Sequence, residues 1–389
     1  MTDSVVYRGT KNDVKEIPKI AKPFVSEMIF VQTSITSISK GAFRYMPNLT
    51  KILFIGNKIK TVEPGAFDNL DKLRDLDISG ASLEKLSVGT FQNLRSLQRL
   101  ELRDSQLRSI PKGLFDGLES LGELSLHINA IPSLPEGIFD SLVNLTFLDL
   151  SRNRITTLPV NAFSKLTQLQ VLRLYENELQ DLPEGLLDSQ LELLELNLQR
   201  NRLRLSVLPR GVFASLPNLK TLNLRKNQLE SVPQGLLEPL KKLSSVYLSG
   251  NPWRCDCNLC YLHRWILGNR EKVKLSFQGA RCPCLTALLP RDTRWHPDTG
   301  SGHRNAGASH PPAGTPPHGA HGRGREPWRV RSPYPDPPIP AGCLQSLARG
   351  STRLPALPPV FFPVPRYRMC QCLFHPHTQT SSPSPFPPP

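Results

Sequence analysis

The sequence has little of what an enzyme or a membrane-spanning protein needs. Its 389 residues include only 9 histidines, and no apolar run approaches the roughly 18 residues of a membrane-spanning helix. No H-x-x-x-H, G-x-S-x-G or phosphate-binding glycine-loop motif occurs. Residues 1–20 lack the apolar core of a secretory signal. We therefore expect neither catalysis nor a cofactor, a bound metal or a transmembrane segment.

Lysine is absent from residues 285–389, where proline is abundant instead. This segment holds 23 of the 38 prolines, and its 11 arginines and 4 acidic residues give it a formal charge of +7. The remaining +8 of the total +15 belongs to residues 1–284. Because two unlike segments share the charge, it does not indicate a nucleic-acid-binding surface. The composition predicts a disordered tail over 285–389, either a proline-rich stalk or a non-native reading frame.

A 24-residue repeat fills residues 25–250. Its pattern is LxxLxLxxNxLxxLPxGxFxxL, and a clear copy has Leu145, Leu148, Leu150, Asn153 and Phe163. The phenylalanines that recur at this spacing are Phe43, Phe67, Phe91, Phe115, Phe139 and Phe163. Nine full units begin at Val25 and a partial tenth at Leu243. This leucine-rich repeat pattern predicts an α/β fold, a right-handed solenoid with short parallel strands on its concave face.

The repeated asparagine predicts a ladder of buried hydrogen bonds where each unit leaves its strand. An asparagine side chain can bond the backbone of neighbouring units there. The members of this series are Asn57, Asn129, Asn153, Asn177, Asn201 and Asn227. Thr33, Ala81 and Ser105 interrupt the series, so we expect the N-terminal units to be the looser half.

The segment NPWRCDCNLCYLHRWILGNREKVK, residues 251–274, follows the last repeat. It resembles the cysteine-containing C-terminal cap of extracellular leucine-rich repeat proteins, the group of the platelet glycoprotein Ib and V chains, the carboxypeptidase N regulatory subunit and the plasma leucine-rich alpha-glycoprotein. The resemblance implies a secreted or cell-surface glycoprotein that binds proteins and catalyses nothing. It also implies a disulfide between Cys255 and Cys282, whereas the partner of Cys257 is uncertain and Cys260 is an extra thiol. A zinc site on these cysteines is the alternative.

Four segments follow from these patterns. Residues 1–24 are interpreted as the remnant of an N-terminal cap, since the cysteines that normally precede the first repeat are absent. Residues 25–250 form the solenoid, 251–284 an incomplete C-terminal cap and 285–389 the tail. Sequons at Asn48 and Asn144 are candidate glycosylation sites.

The variable strand positions form two columns on the concave face, one from Ile29 to Tyr247 and one from Val31 to Ser249. Along their length these columns divide into three zones. The N-terminal units are apolar, with Ile29, Val31, Leu53 and Ile55. The middle is acidic, and its candidate contact residues are Asp77, Glu101 and Asp149. The C-terminal half is basic, with the candidates Arg152, Arg173, Tyr175, Arg200, Arg225 and Lys226. Arginine and aromatic side chains on one rigid surface are typical of interface hot spots.

The leading functional hypothesis is therefore an extracellular protein-binding module, acting as a carrier, decoy, receptor ectodomain or stabilising subunit. Two alternatives remain open. The missing signal is consistent with an intracellular scaffold, and the basic zone is consistent with a binder of sulfated glycans.

Overall fold

The computed structural model describes residues 3–9, 14–18, 24–83, 85–204, 209, 211–254 and 259–274. The strands are β1 Asp3–Arg8, β2 Val25–Val31, β3 Ser37–Ile38, β4 Lys51–Ile55, β5 Thr61–Val62, β6 Asp75–Ser79, β7 Arg99–Glu101, β8 Glu123–Ser125, β9 Phe147–Asp149, β10 Val171–Arg173, β11 Glu195–Asn197, β12 Thr221–Asn223, β13 Ser245–Tyr247 and β14 Val273–Lys274. They form one twelve-stranded parallel sheet in the order β1-β2-β4-β6-β7-β8-β9-β10-β11-β12-β13-β14, and a two-stranded sheet of β3 and β5.

The strand register follows the repeat. Leu148 of β9 lies beside Leu172 of β10, which lies beside Leu196 of β11. All three are buried, whereas Val171 and Arg173, on either side of Leu172, are half-buried. Because side chains alternate between the faces of a strand, one face carries the leucine core and the other presents the variable residues. The predicted solenoid with its 24-residue repeat is confirmed.

The convex side consists of turns. In the described residues the repeats contain no helix, and α1, Cys260–Gly268, lies after the last repeat. Phenylalanines stack under these turns, with ring centroids 5.9 Å apart for Phe43 and Phe67 and 6.4 Å apart for Phe139 and Phe163. The spine and the leucines fill one continuous core, so the repeats do not need convex helices.

The asparagine ladder is present in its predicted form. The side-chain oxygen of Asn153 accepts from the amide of Ile131 at 3.1 Å, and its Nδ2 donates to the carbonyls of Leu126 and Leu150 at 2.9 and 3.1 Å. Two of the expected interruptions keep part of the ladder. The Ser105 hydroxyl donates to Ile78 O at 2.8 Å, and the Thr33 hydroxyl donates to Asn57 Oδ1. Serine thus still reaches a backbone carbonyl of an earlier unit and threonine reaches the next ladder side chain, whereas the methyl group of Ala81 has no polar atom.

The sheet extends beyond the first repeat. Strand β1 pairs in parallel with β2, and Tyr7 stacks on Phe30 with ring centroids 5.2 Å apart. Phe30 stacks on Phe54 in turn, at 4.7 Å. Residues 3–8, which fall in the segment interpreted as a cap remnant, thus add an edge strand and an aromatic ring to the core.

The last repeat is covered by α1. Leu262 and Ile266 are buried, and the indole of Trp253 donates to Leu248 O at 3.2 Å. Cys260 is disulfide-bonded, so the expectation of an extra thiol is wrong. The residue begins the helix whose apolar side closes the core. Cys255, Cys257 and Cys282, the zinc alternative and the tail lie outside the described residues. No described helix is long and apolar enough to span a bilayer.

Candidate concave binding surface

Three columns of side chains cover the concave face, one more than the sequence analysis assigned. Register places Phe147, Val171 and Glu195 side by side at the first position of β9, β10 and β11. The column from β2 to β13 reads Glu27, Lys51, Asp75, Arg99, Glu123, Phe147, Val171, Glu195, Thr221 and Ser245. Its signal in the sequence is the variable residue directly before the central leucine of each strand, because side chains two residues apart share a face.

Arg173 lies at the centre of this surface. Its Cζ atom is 5.1 Å from the centroid of the Phe147 ring, close enough for a cation–π contact. Its Nε lies 3.2 Å from Oε1 of Glu195, and its Nη1 lies 4.0 Å from Oδ2 of Asp149. The guanidinium is thus held over an aromatic ring between two carboxylates. Its side chain is still 36% exposed, so a ligand can reach it.

His127 and Tyr175 border this arginine. Their rings are 5.7 Å apart and tilted by 52°. His127 Nδ1 lies 2.7 Å from Ser151 Oγ and 3.7 Å from Asp149 Oδ1. Burial lowers the pKa of His127, and the nearby carboxylate of Asp149 offsets only part of this effect. The ring therefore favours its neutral form. We name Phe147, Asp149, Arg173, Tyr175 and His127 the central platform.

The side chain of Ser151 contacts both His127 and Asp149, but the three do not form a catalytic arrangement. Ser151 Oγ is fully buried and donates to Asp149 rather than facing solvent. A nucleophile must reach its substrate with its base beside it. These hydrogen bonds therefore fix the positions of the platform side chains and do not activate the Ser151 hydroxyl as a nucleophile.

Of the predicted basic zone, only Arg173 lies on a strand, contrary to the assignment from sequence. Tyr175 and Arg225 follow the ends of β10 and β12. Arg152, Arg200 and Lys226 each occupy the turn before a ladder asparagine with a left-handed φ of 54–55°. Arg152 Nε and Arg200 Nη1 both bind the carboxylate of Glu176, at 2.9 and 2.7 Å. Glu176 occupies the same turn position one unit along, at φ 55°. The basic column is therefore interrupted by an acid that neutralises part of its charge.

The acidic zone is also engaged within the fold. The carboxylates of Asp77 and Asp149 each accept the amide two residues on, from Ser79 and Ser151, both at 2.9 Å. Burial, with a contribution from nearby Glu101, raises the pKa of Asp77. Asp77 and Glu101 line a concavity of about 110 Å³ with Lys51, Leu53, Asp75, Leu76 and Arg99.

Glu101 accepts from Arg99 Nη2 at 2.9 Å, and Arg99 Nε also lies 3.4 Å from Glu123. The apolar N-terminal zone remains open in part, since Ile55 is 44% exposed. Across the described residues, no group of side chains is arranged to hold a metal ion.

Arg225 and Lys226 differ from the other predicted basic residues. No carboxylate of the described residues pairs with either one. Arg225 Nε is buried without a hydrogen-bond partner, while its backbone amide donates to Asn223 Oδ1 at 3.1 Å. The structure thus separates the predicted basic zone into paired and unpaired cations.

The two sequons lie at the junctions between units. Asn144 is exposed and donates from Nδ2 to Glu119 O at 2.9 Å, whereas Asn48 is half-buried and accepts from Lys72 Nζ at 2.7 Å. The hydroxyls of Thr50 and Thr146 both bond a backbone carbonyl of the preceding unit. Asn144 is therefore the more accessible of the two candidate glycosylation sites.

The chain matches the family model of the leucine rich repeat over residues 26–83, 71–131, 95–155, 120–179, 143–203 and 192–252. These overlapping segments span more than half of the chain.

Curated proteins match over shorter stretches. The platelet glycoprotein Ib beta chain of Homo sapiens is 38% identical over 52 residues, 13% of this chain and 24% of that protein. The platelet glycoprotein Ib alpha chain of Canis lupus familiaris is 41% identical over 44 residues, 11% of this chain and 6% of that protein. Immunoglobulin superfamily member 10 of Rattus norvegicus is 36% identical over 63 residues, 15% of this chain and 2% of that protein. The chain thus aligns with at most a quarter of each of these relatives.

Among solved structures, a chain of the Toll–Spatzle complex of Drosophila superposes with a TM-score of 0.56 at 28% identity. The match covers 60% of this chain and 31% of that chain. A glycosylated form of the same complex matches equally well.

Proposed function

The chain belongs to the leucine-rich repeat family, and from that premise we propose that it is a non-catalytic, extracellular protein-binding module. Its concave sheet captures one protein partner, and the central platform is the main point of contact. A carrier, a decoy, a receptor ectodomain and a stabilising subunit all use such a surface. The identity of the partner distinguishes these roles.

The observation that carries this proposal is the order of the central platform. Arg173 is held over Phe147 by two carboxylates, and Tyr175 packs on His127. Side chains that are already fixed lose little conformational entropy when a partner binds. Arginine and tyrosine are also the side chains in which binding energy is concentrated at protein interfaces. A broad sheet surface suits a macromolecule better than a small substrate.

An extracellular location is supported by two independent features. The matched relatives include platelet glycoprotein chains, and Cys260 is disulfide-bonded. Disulfides persist in oxidising compartments and are rare in the cytosol. Both features favour the extracellular module over an intracellular scaffold.

Capture of partners from plasma by the full chain tests the proposal. We expect Arg173→Glu to reduce recovery of the bound protein by at least tenfold, because the substitution removes the central cation and places a third carboxylate beside Asp149 and Glu195. Lys165→Glu makes the same charge change at an exposed convex position and should leave recovery unchanged. Equal recovery by the wild type and both variants would overturn the proposal.

A further inference from the structure

We infer that Arg225, with Lys226, is a subsite for a carboxylate on an acidic segment of the protein partner. The inference rests on the proposed function, since it names the chemistry that a concave-face partner carries at this end of the sheet. It concerns a part of the surface beyond the central platform.

The first step is the contrast between Arg225 and the other arginines of the predicted basic zone. Arg173 binds Glu195 at 3.2 Å, and Arg200 binds Glu176 at 2.7 Å. Arg225 has no such partner in the part of the chain that the structure describes, and its Nε is both buried and unbonded. A buried donor without an acceptor is uncommon in native proteins and lowers stability. The two Nη atoms of Arg225 are not buried in this way and bind no described residue, so they can take an acceptor from outside the chain.

The second step is the neutral surroundings of this arginine. The strand register places Asn223 between Asn197 and Tyr247, and Asn223 Nδ2 donates to Gln199 Oε1 at 3.1 Å. These side chains carry no charge, and the nearby Arg200, whose amide donates to Arg225 O at 2.8 Å, is paired with Glu176. The positive charge of Arg225 is consequently not offset by the fold, and Lys226, exposed in the adjoining turn, adds to it.

The third step selects a carboxylate on a peptide over a polyanion. A guanidinium binds a carboxylate through two parallel N–H donors, and the two Nη groups of Arg225 provide such a pair. Amide side chains beside the arginine can bond the backbone of an extended peptide. A sulfated glycan would need a longer row of free cations, and Arg152, Arg173 and Arg200 are already paired.

Selection from a random peptide display library on the full-length protein tests the subsite. Peptides enriched on the wild type should carry Asp or Glu at one recurrent position, and their affinity should fall about tenfold or more on Arg225→Gln. The control Lys165→Gln removes an exposed convex charge and should enrich the same peptides. Peptides without an acidic preference, or an acidic preference that survives Arg225→Gln, would overturn the inference.

Two parallel measurements separate this inference from its premise. A heparin oligosaccharide that binds more tightly than the selected peptides, with the same loss on Arg225→Gln, would identify a polyanion site and overturn the peptide assignment. A plasma partner that is lost on Arg173→Glu but retained at full strength by Arg225→Gln would leave the proposed function intact and remove the subsite. If Arg225→Gln abolishes binding of the acidic peptides but Arg173→Glu leaves plasma capture unaffected, the subsite would stand and the proposed role of the central platform would fall.

Discussion

The guanidinium Nε of Arg173 lies 3.2 Å from Oε1 of Glu195, on the neighbouring strand of the concave sheet. Glu195 belongs to the column of side chains directly before the central leucines, and Arg173 to the column directly after them. The pair therefore joins two columns and holds the arginine above Phe147.

Substitutions of Arg173 and Glu195 should have coupled effects on the free energy of unfolding. Both side chains are about one third exposed, and exposed ion pairs contribute roughly 0–1 kcal/mol. We expect Glu195→Gln to change the free energy of unfolding by less than about 1 kcal/mol. Arg173→Glu should cost more, because it gathers three carboxylates, and Arg173→Glu with Glu195→Arg should recover part of the loss. Urea unfolding of the wild type, Arg173→Glu, Glu195→Arg and the double variant measures the coupling. Strictly additive changes would show that the pair is not formed.

The asparagine ladder should respond strongly to a single substitution. Asn153→Ala leaves the amide of Ile131 without its side-chain acceptor, whereas Leu126 O keeps the Nδ2 donor of Asn129. Each buried group left unsatisfied costs roughly 1–3 kcal/mol. Asn161→Ala, at an exposed convex turn, is the matched control. Substitutions at such surface positions usually change the free energy of unfolding by no more than about 0.5 kcal/mol. Similar melting temperatures for the two variants would contradict the ladder.

Asp77 predicts a specific pH dependence. Burial raises its pKa in the folded state above the ordinary value of 3.8, so the folded protein binds more protons than the unfolded chain between the two values. The contribution of Asp77 to stability is therefore largest below the ordinary pKa and declines as pH rises through the raised one. Asp77→Asn should remove this decline while keeping the acceptor for the Ser79 amide, as Asn197 does for Gln199.

Denaturant unfolding between about pH 3.5 and pH 7 measures the pH dependence attributed to Asp77. Asp71→Asn, at an exposed convex position, serves as the control. A slope that is unchanged by Asp77→Asn would show that the buried carboxylate is not its source.

Disulfide mapping of the oxidised protein checks the C-terminal cap. We expect a peptide that contains Cys260 to be cross-linked, as the structure has it, and a Cys255–Cys282 bridge remains a prediction. Cys260→Ser should lower stability by roughly 2–4 kcal/mol. Quantitative alkylation of Cys260 without prior reduction would contradict the expected bond.

The fold could be read from the sequence because each unit repeats the same buried positions. Leu148, Leu172 and Leu196 recur at fixed spacing, and so does Asn153 with its series. The pairing of concave charges could not be read in this way. Whether Glu176 reaches Arg152 and Arg200 depends on the turn conformation, and whether Glu195 meets Arg173 depends on the register between strands.

The column that contains Phe147 and Glu195 could nevertheless be predicted from the repeat pattern, because its members directly precede the central leucines. The sequence analysis assigned two columns and missed this third one. As a result, it predicted a continuous basic zone where the structure has alternating charges.

The central claim is that the concave platform binds a protein through Tyr175 and Arg173. The most direct measurement is the dissociation constant of the plasma partner for the wild type, Tyr175→Ala and Lys165→Ala, each at low and high salt. We predict that Tyr175→Ala weakens binding by about 30-fold or more, the size of a hot-spot loss of roughly 2 kcal/mol, with little salt dependence and no effect of Lys165→Ala. An affinity that ignores Tyr175 and falls steeply with salt would contradict the account and identify a polyanion ligand instead.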